Sequence, residues 1–116
     1  GAMMRPSLEA AEELQRNNGI HAEVIDLLTL SPLDVELMVS SVKKTGRAVI
    51  VHEAPRSYGP GAEIVASLMD GAFYYLEVPI ERVTGFDLVI PYFSREKSYL
   101  PGVKRIQAAV MRVVNR

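Results

Sequence analysis

Between Arg47 and Ile64 the chain passes from an unbroken apolar run to a polar, glycine-rich turn and then to apolar positions at helical spacing. Ala48 to Val51 is rich in β-branched residues and too short for a buried helix. A run of this kind predicts a strand covered on both faces, as in the interior of a parallel sheet. His52 and Glu53 close the run, and Ala54-Pro55 predicts the strand break, because proline cannot donate to a ladder. Gly59-Pro60-Gly61 predicts a helix start, since the N–H that proline lacks would be unbonded in a first turn. Ala62, Ile64, Val65, Leu68, Met69 and Ala72 carry that helix forward. The unit is strand, polar loop, helix, and in open α/β sheets such loops lie at the carboxyl ends of strands, where ligands and partners bind.

On either side the pattern repeats. After Pro6 and Ser7, Leu8 to Leu14 are strong helix formers, with Leu8, Ala11 and Leu14 on one face. Glu9, Glu12 and Glu13 lie toward the expected helix start and Arg16 toward its end, complementing the macrodipole. Asn17-Asn18-Gly19 is a stop signal. Ala22 to Leu27 predicts a strand centred on Val24 and Ile25. Ser31-Pro32-Leu33-Asp34 predicts the next helix, with Ser31 as cap and Pro32 at the first position. That helix should run to about Lys44, with Lys43 and Lys44 at its negative end and Gly46 terminating it.

Further on, Tyr74 to Val78 lead through Pro79 to a short strand, Ile80 to Thr84. Gly85 to Ser98 is irregular, with Phe86, Tyr92 and Phe93 expected to cap the end of the sheet. Pro101-Gly102 opens a last helix whose Val103, Ile106, Val110, Val113 and Val114 form one apolar stripe. The order helix, strand, helix, strand, helix, strand, loop, helix predicts the α/β class: a three-layer α/β/α sandwich with a mainly parallel sheet and right-handed crossovers. No repeat or linker divides the chain, so residues 1–116 read as one domain.

Composition narrows the function classes. At 48% hydrophobic residues the chain is a folding one rather than a disordered one, and a net charge of −1 gives no reason to expect nucleic acid or an anionic membrane as partner. There is no cysteine, hence no disulfide framework or thiolate site. No apolar run reaches transmembrane length. Gly1-Ala2-Met3 has the look of either a cloning scar or native sequence.

Candidate chemistry is sparse. His52 and Glu53 are strand neighbours and point to opposite faces, which prevents their sharing one ligand; His21 stands alone beside a helix exit. The Gly59-Pro60-Gly61 loop could offer backbone N–H groups to an anion, but it lacks the lysine and hydroxyl of a phosphate-binding loop and the glycine spacing of a dinucleotide fingerprint. A tight structural turn is the favoured reading there. Arg56 and Tyr58 are loop residues of the types that anchor protein partners. Ser7, Ser57 and Ser94 have no nucleophile motif around them. The candidate interface or ligand loop is therefore His52, Glu53, Arg56, Tyr58, Gly59 and Gly61, with no catalytic, cofactor or metal residue among the 116.

Taken together, LEAAEEL, AEVIDLLTLSPLD, SVKKTGRAVIVHEAPRSYGPGAEI and PIERVTGFDLVIPY, followed by a proline-started terminal helix, resemble one family in order and spacing. They look like the C-terminal domain of the beta subunit of thiamine-diphosphate-dependent 2-oxoacid dehydrogenase decarboxylases, of pyruvate or branched-chain type, in the transketolase superfamily. HEAPR leans toward the branched-chain side. The resemblance implies a heterotetramer with an alpha subunit and a second beta subunit, using thiamine diphosphate and magnesium, that decarboxylates a 2-oxoacid and acylates a lipoyl group. It also implies that this domain serves subunit association and docking of the dihydrolipoyl acyltransferase's subunit-binding domain, binding no cofactor itself. The expected location is the cytoplasm of a prokaryote or the mitochondrial matrix of a eukaryote. The alternative is a free-standing α/β module that binds a small anion or nucleotide at the Gly59–Gly61 loop.

One departure from the family shapes the fold expectation. Members open this domain with a buried strand ahead of the first helix, lying between the strands that correspond to Ala22–Leu27 and Ala48–Glu53. Here the sequence starts where that strand would end, so it reads as a piece of a subunit or as a subunit cut short. The expected compensation is direct pairing of those two strands, or occupation of the slot by another chain.

Overall fold

The structure is a computed structural model that describes residues 3–27, 34–55, 60–85 and 102–115. Its elements in chain order are α1 (Met4–Asn18), α2 (Val35–Thr45), β1 (Val49–Pro55), α3 (Pro60–Ala72), a 3₁₀ turn (Phe73–Tyr75), β2 (Glu81–Gly85) and α4 (Val103–Asn115). β1 and β2 form a parallel two-stranded sheet joined through α3, with Val49 opposite Glu81 and Val51 opposite Val83.

Strand alternation sorts the sheet into two faces. Ile50 points toward α2 and α3 and packs with Met38, Val42, Ile64, Leu68 and Ala72. Val49, Val51 and Val83 point the other way, onto Ala10, Ile106 and Ala109 of α1 and α4. The result is the expected helix, sheet, helix layering, with two buried clusters on opposite sides of the strands.

Helix ends follow the sequence signals in part. Gly19 (φ 66°) and Gly46 (φ 71°) close α1 and α2 in the left-handed conformation, as Asn17-Asn18-Gly19 and Gly46 predict. α2 does not begin at a Ser31 cap within the described residues: Asp34 is the cap, its carboxylate accepting from the Leu37 N–H at 3.1 Å. α1 starts at Met4, upstream of Pro6, so its glutamates lie mid-helix and its first turn holds no acid. Its buried face is set by Ala10 and Leu14, whereas Leu8 is 53% exposed. The small alanine, not the leucine, allows the close approach of α1 to α4. In the α3 stripe, Ile64, Leu68 and Ala72 are buried but Ala62 and Met69 face outward.

Two strand expectations are corrected. β1 continues through Ala54-Pro55 rather than breaking before it, with its register to β2 shifting between Val51 and Pro55. Ala22 to Leu27 forms no ladder and does not pair with β1. Glu23 bonds Lys44 at 2.5 Å and Leu27 packs on the α2/α3 cluster, which holds the segment beside α2. A cleft of about 530 Å³ separates it from β1. The expected aromatic cap of Phe86, Tyr92 and Phe93 lies outside the described residues.

Candidate functional site

The carboxyl end of β1 and the start of α3 are the place where a ligand loop is expected, and the structure brings two of the six candidate residues together there. His52 is half-buried on the α3-facing side of the sheet. Gly61, in the first turn of α3, is buried directly over it. A Cβ built at position 61 would meet the His52 ring, with Cδ2 at 2.9 Å, and would lie 3.4 Å from Cδ of Arg82. Glycine is required here by a close approach of helix to strand rather than by a left-handed backbone. The arrangement packs a helix onto a sheet and favours the structural reading of the turn. The Glu53 side chain, Arg56, Tyr58 and Gly59 lie outside the described residues.

Below the sheet's other end, Arg47 ties three elements. Its Nε donates to the Val113 carbonyl at 2.8 Å, in the last turn of α4, where helix carbonyls lack intrahelical donors. Its guanidinium also pairs with Glu77, and the Glu77 N–H donates to the Gly46 carbonyl at 2.8 Å. Arg112 of α4 pairs with Glu81 of β2 at 2.8 Å. On the outer side of α2, Lys44 bonds the Glu23 side chain and lowers its pKa.

The surface feature that the sequence reading passed over is aromatic. Phe73, Tyr74 and Tyr75 follow α3 and are 53%, 94% and 51% exposed, with Met69 beside them at 41%. Phe73 and Tyr74 meet edge to face at 5.3 Å, and Lys43 Nζ stands 4.8 Å from the Tyr75 ring centroid. Three consecutive aromatics were visible as a signal, but the segment reads from sequence as a lead-in to a strand. Contiguous exposed aromatic surface marks interaction sites.

Among the described residues, no three His, Cys, Asp or Glu side chains are grouped to hold a metal. No described helix is long and apolar enough to cross a membrane.

This parallel βαβ unit flanked by helices on both faces is the architecture of a known family: residues 1–106 match the one described as Transketolase, C-terminal domain, and the chain belongs to it. Among curated relatives, it is 48% identical over 114 residues to the 2-oxoisovalerate dehydrogenase subunit beta of Pseudomonas aeruginosa, covering 98% of this chain and 31% of that protein. It is 44% identical over 114 residues to the pyruvate dehydrogenase E1 component subunit beta of Bacillus subtilis, covering 98% and 35%. Among solved structures, a split gene transketolase described as an inactive beta4 tetramer superposes with a TM-score of 0.77 at 27% identity, over 99% of this chain and 36% of that one. The chain thus spans about a third of the length of the curated relatives it matches.

Proposed function

We propose that this chain acts as the C-terminal association domain of the beta subunit of a 2-oxoacid dehydrogenase complex, contributing subunit assembly and acyltransferase docking rather than catalytic groups. The observation that carries the reading is the 48% identity over nearly the whole chain to part of a dehydrogenase beta subunit. The exposed Phe73–Tyr75 surface supports an assembly role, because aromatic residues are enriched where protein partners meet. The partners are an alpha subunit, a second beta subunit and the subunit-binding domain of a dihydrolipoyl acyltransferase. In the whole enzyme, thiamine diphosphate with magnesium supplies the carbanion chemistry of 2-oxoacid decarboxylation, and the acyl group passes to a lipoyl arm. The close packing of Gly61 on His52 supports a structural turn here rather than an anion or nucleotide module.

Two measurements test the reading. A tagged alpha subunit from an organism carrying this chain should co-purify with it, and a Tyr74→Ser, Tyr75→Ser variant should be retained less well. Calorimetry of the chain alone with thiamine diphosphate and magnesium should give no binding heat. Saturable micromolar cofactor binding, or failure of every subunit to associate with the folded chain, would overturn it.

A further inference from the structure

Asn18 is the last residue of α1, and Gly19 follows it in the left-handed conformation (φ 66°, ψ 20°). Both are exposed, and a Cβ built at Gly19 would meet nothing within 4 Å, so no neighbour shields the bond between them. An asparagine before a glycine carries a latent reaction. With no side chain beside it, the glycine nitrogen is an unhindered nucleophile toward the preceding carboxamide. The Gly19 nitrogen bonds to Cγ of Asn18 and loses its proton, the Cγ–Nδ2 bond breaks, and ammonia departs with that proton. Water then opens the five-membered imide at either carbonyl, leaving aspartate or isoaspartate. No reactant other than water enters.

The helix exit restrains this step. The Gly19 N–H donates to the Gln15 carbonyl at 3.1 Å, and the Ile20 N–H to the Leu14 carbonyl at 3.3 Å. Ring closure needs the Gly19 nitrogen released from its acceptor and the Asn18 backbone turned out of the helical well, so the exit must open first. Helix ends open far more readily than a core unfolds. Asn17 is in the same turn, but it is followed by Asn18, whose side chain crowds the nitrogen that would attack.

We propose that Asn18 is a site of spontaneous deamidation, gated by the opening of the last turn of α1. The product places a carboxylate at the negative end of the helix, and its isoaspartate form adds a carbon to the backbone inside the exit. Both changes favour the open turn.

The test incubates the full 116-residue chain at neutral pH and follows Asn17 and Asn18 by peptide mass spectrometry that separates aspartate from isoaspartate. Asn18 should convert at least about tenfold more slowly in the folded chain than in guanidinium, and in guanidinium faster than Asn17. Gln15→Gly, an exposed substitution that weakens the last turn, should raise the folded-state rate about threefold and leave the rate in guanidinium unchanged. Gly19→Val should nearly abolish conversion in guanidinium, where loss of the fold is irrelevant. Equal rates at Asn18 in the folded and unfolded chain, or no conversion there in guanidinium, would overturn the proposal. So would acceleration in Leu68→Ala, which weakens the α2/α3 cluster, matching that in Gln15→Gly, since global unfolding would then be the gate.

Discussion

Gly61 lies against the imidazole of His52 so closely that a Cβ at position 61 would stand 2.9 Å from Cδ2 and nearer still to Nε2. A methyl group there would force the imidazole or the start of α3 to shift. Gly61→Ala should therefore destabilise the domain by about 1–3 kcal/mol, the usual cost of overpacking. In a His52→Ala background the same change should cost little, since the clashing ring is gone. Urea melts of the four variants give the coupling. Equal cost in both backgrounds would show that the contact is not the cause.

Arg47 links α4 to the turn after α2 through the Val113 carbonyl and Glu77. Its side chain is partly solvated, which discounts the ion pair but not the bond to a helix-end carbonyl. Arg47→Met should lower stability by about 1 kcal/mol, and Arg47→Lys, with no Nε donor, should recover little of it. Thermal or urea melts at high salt separate the two parts, because only the pairing with Glu77 is screened.

Glu23 has its carboxyl pKa lowered by the hydrogen bond from Lys44, so the folded state favours the ionised form. Its contribution to stability is present above the unfolded-state pKa and is lost as pH falls through the lower, folded-state value. Both groups are at the surface, so the effect on melting should be slight. Carboxyl titration by NMR should find Glu23 with a lower midpoint in the wild type than in Lys44→Met.

Leu68 is 3% exposed in the α2/α3 cluster, and Leu8 is 53% exposed on α1. Leu68→Ala should cost about 2–5 kcal/mol. Leu8→Ala should stay within about 0.5 kcal/mol, as for other surface substitutions. A large loss at Leu8 would mean that α1 turns a different face to the sheet.

Local signals were the most legible. Gly19 and Gly46 announced helix exits because only a residue tolerant of positive φ ends a helix cheaply, and the apolar run ending at Val51 announced a strand covered on both faces. The faces of α1 and the state of Ala22–Leu27 were less legible, because both depend on what stands opposite. Leu8 fits a helical stripe as well as Ala10 does, but only the small residue suits the tight contact with α4. Val24 and Ile25 have the composition of a strand, yet a strand exists only where a neighbour offers its backbone, and β1 lies across a cleft. At the candidate site, the glycine was visible as a turn signal, but its partner, the His52 ring, came from a register no spacing rule supplies.

Among the described residues, the two buried clusters share no residue and lie on opposite sides of β1 and β2. A two-stranded sheet is a thin partition for carrying cooperativity from one layer to the other. The α1/α4 layer is held to the sheet by its packing on Val49, Val51 and Val83, and by Arg47, by Arg112 with Glu81, and by Arg105 donating to the Thr84 carbonyl at 2.7 Å, none of which involves the Ile50 side of the sheet. Two separate clusters of this kind lead us to expect that the domain loosens by halves. Amides of α1 and α4 should then lose protection together, under conditions in which those of α3 still hold theirs.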